Sequence, residues 1–209
     1  MKKLITLSFL SLMLYNQQAA AQISKGEKML GGNISAFFNK IEYDNTPNKQ
    51  RFTEISVSPQ LGFGTGKNWI VGVSAGYTYG RQKMDGIFGN NSNNRSYVVS
   101  GGLFARKFFP IKDRFGVFGQ ADGLIGFGKA KYKSDSNPED VYKINNYSIS
   151  VKPGAYYRLG RRFILETRFG NLGYTHSETD PEGIGNTVKS GQFSFSLTNS
   201  LTFGFQMVL

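Results

Sequence analysis

His176 is the only histidine in the chain, and Ser177 follows it directly. A serine nucleophile activated by a histidine base is the arrangement that many acyl hydrolases use, so this dipeptide is the first candidate for chemistry. Neighbouring residues of an extended strand point to opposite faces, however, and adjacency in sequence does not make a catalytic pair. We therefore predict no catalytic residues, with a lipid-directed acyl hydrolase that relies on His176 as an alternative.

The residue types of the chain give little indication of a metal site or a cofactor site. The chain has no cysteine, which excludes disulfides, cysteine nucleophiles and cysteine-ligated zinc. The sequence has no spacing of histidines and carboxylates typical of a metal site. Closely spaced glycines such as Gly126 and Gly128 precede no helical pattern, so they are not phosphate-binding loops. We predict no metal and no cofactor.

Charged residues of both signs form a second candidate group. They lie in segments that alternate between apolar and small or polar residues, and all of them fall on the small or polar side. An unpaired buried charge is costly, so we expect these side chains to neutralise one another if that side is enclosed. A narrow path for ions or solutes is the alternative. The residues are Glu54, Arg106, Asp122, Lys152, Arg158, Glu166 and Arg168.

A third group is basic. Lys129, Lys131 and Lys133 share one face of an alternating segment, where they could bind the phosphates of lipopolysaccharide; a solvated charged loop is the alternative. The formal net charge of +11 also favours an anionic partner. Because the chain is expected to be exported, we predict lipid phosphates and not nucleic acid as that partner.

The expectation of export comes from the first residues of the chain. Lys2 and Lys3 precede an apolar run over 4–15, and three alanines follow over 19–21. This order is typical of a secretory signal peptide with a small-residue cleavage site. The run is too short for a membrane-spanning helix. We predict a cleaved signal peptide over 1–21 and a mature domain over 22–209.

The elements that must position these residues are strands. The chain has 26 glycines, 14% aromatic residues and 19% charged residues, which favours strands and turns over helices. From Phe193 to Leu209 apolar and small polar residues alternate almost without interruption. This period of two predicts a strand, and its length exceeds the roughly nine to eleven residues that cross a bilayer.

The chemistry of the two faces predicts what each face meets. The even positions of the last segment, such as Ser196 and Thr202, are small and uncharged, whereas a soluble protein would carry charges on its polar face. Small polar residues suit a lumen, and the phenylalanines and leucines suit lipid. Similar segments recur along the chain. We predict an all-β fold: a single antiparallel up-and-down transmembrane β-barrel of about eight strands.

Connections of two lengths predict the orientation. Short turns are periplasmic and long loops extracellular in bacterial barrels, which leaves both termini periplasmic. Pro59 and Pro153 interrupt strands, so we expect a bulge or an unpaired position at each, and a further bulge near Gly170. Short turns are predicted over Gly64–Asn68, Pro110–Asp113 and Gly160–Arg161, and long polar loops over Lys40–Arg51, Arg81–Arg95, Lys129–Asn146 and Thr175–Ser190.

Four stretches give a more specific resemblance: Ser58–Phe63, Lys67–Gly72, Arg106–Pro110 and Lys152–Arg158. Over the whole mature chain the sequence resembles the small outer-membrane β-barrel domain family related to OmpA and OmpX. The resemblance implies an integral outer-membrane location and contact with the barrel-assembly machinery through the C-terminal strand. Such chains usually end in an aromatic residue, where this one has Leu209. The family has no shared catalytic set.

We therefore expect an outer-membrane barrel with a structural or surface-interaction role, a lumen plugged by side chains and no catalysis. A narrow channel or carrier for small or hydrophobic solutes is the first alternative, and the acyl hydrolase is the second. The expected partners are outer-membrane lipid, lipopolysaccharide and the barrel-assembly machinery.

Overall fold

Eight antiparallel strands follow one another around a closed barrel in sequence order, as predicted. The computed structural model describes residues 23–42, 48–87, 90–135, 137–181 and 186–209, except the side chains of 87, 90, 137, 138 and 197–201. The predicted signal peptide, 1–21, lies outside these residues. The strands are β1 (Lys28–Glu42), β2 (Lys49–Gly66), β3 (Trp69–Ile87), β4 (Asn90–Pro110), β5 (Phe115–Ser134), β6 (Asn137–Leu159), β7 (Phe163–Pro181) and β8 (Val188–Val208).

Side chains alternate between the outside and the lumen along each strand. The outward set is apolar and highly exposed: Leu103 is 68% exposed, Ile149 65% and Phe203 64%. Such a surface is unfavourable in water and suits the hydrocarbon core of a bilayer. Tyr77, Tyr97, Tyr147 and Tyr174 also point outward and form an aromatic girdle toward one end of the barrel. No helix among the described residues is long and apolar enough to cross a membrane.

The two ends of the barrel differ. At one, the turn end, the connections are short, and Lys67 and Asn68 join β2 to β3 with left-handed φ angles of 51° and 64°. At the other, the hairpin end, the segments predicted as long loops are mostly strand, since β3 extends to Ile87 and β4 begins at Asn90. Most of these residues are polar on both faces, so their period of two does not show as an alternation of apolar and polar residues.

The predicted irregularities at both prolines and near Gly170 are confirmed. At Pro59 the ladder between β2 and β3 is interrupted without a change of register. At Pro153 the register between β6 and β7 shifts between Val151 and Gly154. Gly170, which has a φ of 77°, lies opposite this shift and accommodates the extra residue of β7.

The outward face of β6 provides a direct test of the membrane assignment. Ile149→Arg should cost about 2–4 kcal/mol if the residue lies at the bilayer midplane, because the guanidinium would enter hydrocarbon. Ser148→Arg is the matched control, because Ser148 points into the lumen and is half-buried there. The measurement is urea unfolding in lipid vesicles. Equal tolerance of both substitutions would contradict the facing of β6.

Candidate functional site

The lumen at the turn end is filled by apolar side chains. Phe108 packs edge-on against Tyr156, with ring centroids 5.1 Å apart, and lies 5.9 Å from the ring of Phe118. Sequence analysis predicted small or polar residues along the lumen, and for this end that prediction is wrong. The whole layer is buried; it comprises Ile23, Met29, Ile70, Phe104, Phe108, Phe118, Tyr156 and Ile164.

Arg106 lies on this layer and is completely buried. Its guanidinium carbon is 4.6 Å from the ring centroid of Phe118, within the range of a cation–π contact. Its Nη1 donates to Glu166 Oε2 at 2.6 Å, and its Nε donates to Gln120 Oε1 at 2.8 Å. A third bond, from Nη2 to Gln60 Oε1, measures 3.1 Å. Through these bonds one side chain of β4 joins β2, β5 and β7.

Glu166 is the acceptor at the centre of the network. Besides Arg106 it accepts from Arg168 Nη2 at 3.1 Å and from Gln206 Nε2 at 3.2 Å. With its amide oriented to satisfy both neighbours, Asn33 donates to Glu166 Oε1 at 2.9 Å and accepts from Arg168 Nη2 at 2.8 Å. Gly204 makes room for this cluster, since a Cβ there would lie 2.4 Å from the side-chain amide of Asn33 and 2.7 Å from Glu166 Cγ.

A second ion pair extends the network toward the hairpin end. Gln120 donates through Nε2 to Asp122 Oδ1 at 2.6 Å, so it links Arg106 to the Asp122 carboxylate. Lys152 Nζ lies 3.3 Å from Asp122 Oδ2, and its side chain is 29% exposed while that of Asp122 is 3% exposed. The dry cluster therefore ends at Lys152, where the lumen begins to open.

The structure brings together five of the seven charged residues that the sequence singled out: Arg106, Asp122, Lys152, Glu166 and Arg168. Glu54 and Arg158 have the predicted facing, but neither joins the cluster in the contacts of the described residues. Sequence analysis missed the uncharged members. Their signal was available, because each is a polar residue on the lumen face of its strand. These members are Asn33, Gln60, Gln120 and Gln206.

The three predicted lysines lie on the outer wall at the hairpin end. Lys131 pairs with Glu139 at 2.7 Å, and this contact holds the pKa of Glu139 below its usual range. The cross-strand register places Lys131 beside Arg95, and Arg95 beside Arg81, in one row. The row directly below contains Lys129, Tyr97 and Tyr79. Basic residues of three strands thus border the aromatic girdle, and sequence analysis had missed the two arginines.

His176 points outward between β6 and the beginning of β8. Its Nε2 is 3.5 Å from Glu178 Oε1, and its ring centroid is 6.4 Å from that of Tyr147. Ser177 has the opposite facing, so the two residues do not form a nucleophile and base pair. In the part of the chain that the structure describes, no group of three or more histidine and carboxylate residues could hold a metal ion.

Comparison with known proteins gives a family and several similar folds. Residues 7–200 match the family described as outer membrane protein beta-barrel domain. OprG from Pseudomonas aeruginosa is 12% identical over 89% of this chain and 97% of that chain, with a TM-score of 0.50. A major outer membrane protein from Thermus thermophilus is 12% identical over 87% and 99%, with a TM-score of 0.44. Neisserial surface protein A is 14% identical over 88% and 97%, with a TM-score of 0.39. No curated protein sequence matched.

The central carboxylate provides the test of the network. Glu166→Ala should destabilise the barrel by up to about 3–5 kcal/mol, because Arg106 and Arg168 would lose their shared anion in a dry interior. Glu54→Ala is the control, since it removes a lumen carboxylate outside the cluster and should change stability little. Urea unfolding in vesicles measures both. Equal stability of Glu166→Ala and the wild-type protein would mean that water already solvates the network.

Proposed function

The chain belongs to the outer membrane protein β-barrel domain family, and we propose that this member closes its lumen with side chains, catalyses no reaction and acts at the cell surface. It is an integral protein of the bacterial outer membrane. The proposed orientation follows the family, with the short turns in the periplasm and the hairpins outside the cell. The aromatic and aliphatic residues of the C-terminal strand, including Phe203 and Phe205, are the proposed contact with the barrel-assembly machinery.

The contacts of Arg106 carry the proposal of a closed lumen. Its side chain bonds to residues of β2, β5 and β7, so the network spans the interior from wall to wall. Arg106, Gln120 and Gln206 are each 0% exposed, so these three side chains are out of contact with water, which supports a closed lumen. The aromatic layer beneath adds a second, apolar barrier. An eight-stranded barrel is narrow enough for side chains to fill.

The position of His176 argues against catalysis. Its observed partners are a carboxylate and an aromatic ring on the lipid-facing side. Neither is a nucleophile that a histidine base activates, so an acyl-enzyme mechanism has no starting point at this residue.

The basic rows support a role at the surface. Arg81, Arg95 and Lys129 border the tyrosines of the girdle, at the depth where phosphates of outer-leaflet lipids lie. Guanidinium groups bind phosphate through paired hydrogen bonds, and charge-assisted bonds of this kind are strong. Because Lys131 is matched by Glu139, the excess charge of its row belongs mainly to the two arginines. We infer that this patch holds the phosphates of lipopolysaccharide.

Conductance in planar bilayers tests the closed lumen. The wild-type protein should show no steady ion current, because both the polar and the aromatic layers block the interior. The combined variant Arg106→Ala, Glu166→Ala and Phe118→Ala removes an ion pair together with one ring, and it should allow at least intermittent current if it folds. Heat-modifiable electrophoretic mobility checks folding. Steady, ion-selective current through the wild-type protein would instead favour the channel alternative.

Retention of lipopolysaccharide tests the basic patch. Replacing Arg81, Arg95 and Lys129 together by serine should reduce the lipopolysaccharide that copurifies with the protein and its preference for vesicles that contain it. The matched control replaces three exposed cations at the turn end: Lys112, Arg161 and Arg162. Both variants lose the same charge, so an equal loss of retention would show a nonspecific effect of net charge and contradict the proposed patch.

A further inference from the structure

The seam between β1 and β8 is paired along only part of its length. Six residue pairs join Met29–Ile34 to Phe203–Val208. β1 remains paired with β2 as far as Glu42, and β8 remains paired with β7 as far as Val188. Among the described residues, therefore, the backbone segments 35–42 and 188–195 form no ladder with each other across the seam. We call these two segments the seam edges.

The register shifts on the two sides of Gly170 explain why the edges separate. At Gly170 the register of β7 shifts against β6 on one side and against β8 on the other. On the β8 side the shift lies between Phe169, which pairs with Leu201, and Asn171, which pairs with Ser196, so the extra residues on this side belong to β8. This break lies just beyond the last pair that joins β1 to β8. The hairpin of β7 and β8 beyond Gly170 is thus held by β6 and not by β1.

The depth of the opening follows from its outward side chains. Phe38, Phe193 and Phe195 are exposed by 69%, 69% and 65%. Phe195 pairs with Leu172, and Phe193 pairs with Tyr174 of the girdle. The edge of β8 therefore begins in the apolar band and ends at the interface of the outer leaflet. Unpaired backbone groups at this depth are unfavourable unless water or another molecule reaches them.

Behind the seam edges two aromatic rings face the lumen, one from β1 and one from β2, and Glu54 is the cross-strand neighbour of the β1 ring. Phe37 and Phe52 both face the lumen and pack edge-on, with ring centroids 5.8 Å apart. Phe37 is 48% exposed, although lumen-facing residues nearer the turn end are buried. Asn33 and the charge network close the lumen beneath them. A molecule that enters here can contact the two rings but cannot continue toward the periplasm.

Cations flank the entrance at its outer end. Glu42 lies 3.0 Å from Lys40 Nζ and 3.4 Å from Lys49 Nζ, so one carboxylate faces two ammonium groups. Arg51 is the cross-strand neighbour of Lys40 and adds a further positive charge. This excess of positive charge beside an apolar opening complements an amphiphile that has an anionic head and an apolar tail.

We propose that the open seam admits an acyl chain of an anionic outer-leaflet lipid, which lies against Phe37 and Phe52 while its phosphate contacts Lys40 and Arg51. A second copy of this chain, paired along the edge of β1, would satisfy backbone groups but would leave both rings uncovered inside the lumen. The proposal goes beyond the closed lumen of the proposed function, because the charge network can block ions whether or not a lipid enters above it.

Tryptophan fluorescence in vesicles of lipids brominated on their acyl chains tests the proposal, because bromine quenches only by close contact. The chain has one tryptophan, so Trp69→Phe gives a silent background. In that background Phe52→Trp should be quenched nearly as strongly as the outward Phe203→Trp. The lumen-facing Phe118→Trp, whose native side chain is 2% exposed, should not be quenched. Phe37→Trp is a second reporter if Phe52→Trp does not fold.

Two further measurements separate the outcomes. Brominated phosphatidylglycerol should quench Phe52→Trp more strongly than brominated phosphatidylcholine does. The double substitution Lys40→Ser and Arg51→Ser should abolish this difference. The control double substitution Lys112→Ser and Arg161→Ser should leave it unchanged. If Phe52→Trp and Phe37→Trp are quenched no more than Phe118→Trp, lipid does not enter and the proposal fails. If, in addition, chemical cross-linking gives a dimer, the edge of β1 pairs with a second copy of the chain and not with lipid. Conductance is unaffected by either outcome, so the closed lumen is tested independently.

Discussion

The interior of this barrel depends on one constraint: it must stabilise a guanidinium group that has no water around it. Arg106 is completely buried, and a charge in that position is tolerated only if hydrogen bonds and an opposite charge replace its hydration. Glu166 supplies the charge, the amides of Gln60 and Gln120 supply further acceptors, and the face of Phe118 lies against the cation. The absence of a side chain at Gly204 follows from the same requirement, since a Cβ there would collide with Glu166.

Strand number and facing could be predicted because they depend on a local property. A period of two can be recognised from neighbouring residues, and segments such as Phe193–Leu209 display it without reference to the rest of the chain. The pattern disappears where both faces are polar. The extensions of β3 and β4 beyond the girdle were for that reason predicted as loops, although cross-strand pairs such as Arg81 with Arg95 continue the ladder.

Which charges meet could not be predicted, because that depends on the height of each residue in the barrel. All seven candidate side chains face the lumen. The height of each one along the barrel axis, however, depends on strand tilt and register, which are properties of the closed sheet. Glu54 lies toward the hairpin end and Arg158 near the turn end, so neither reaches the cluster. The aromatic layer was missed for a related reason. Phe108 and Phe109 are adjacent, and sequence alone does not indicate that the first of the two helps to fill a lumen.

Two demands on the same backbone conflict at the seam. A membrane barrel requires every strand edge to be paired, which favours an uninterrupted ladder between β1 and β8. Pro153 cannot donate to a ladder, and beside it β7 has one residue more than β6, while β8 has four residues opposite Gly170 alone. The β6–β7 and β7–β8 ladders resume beyond the break, but the ladder between β1 and β8 does not. The ladder between β1 and β8 is therefore complete on the turn-end side of the bulge, where the charge network must be kept from water. It is incomplete on the hairpin-end side. There the lumen residues are half-buried or exposed and tolerate contact with water or lipid.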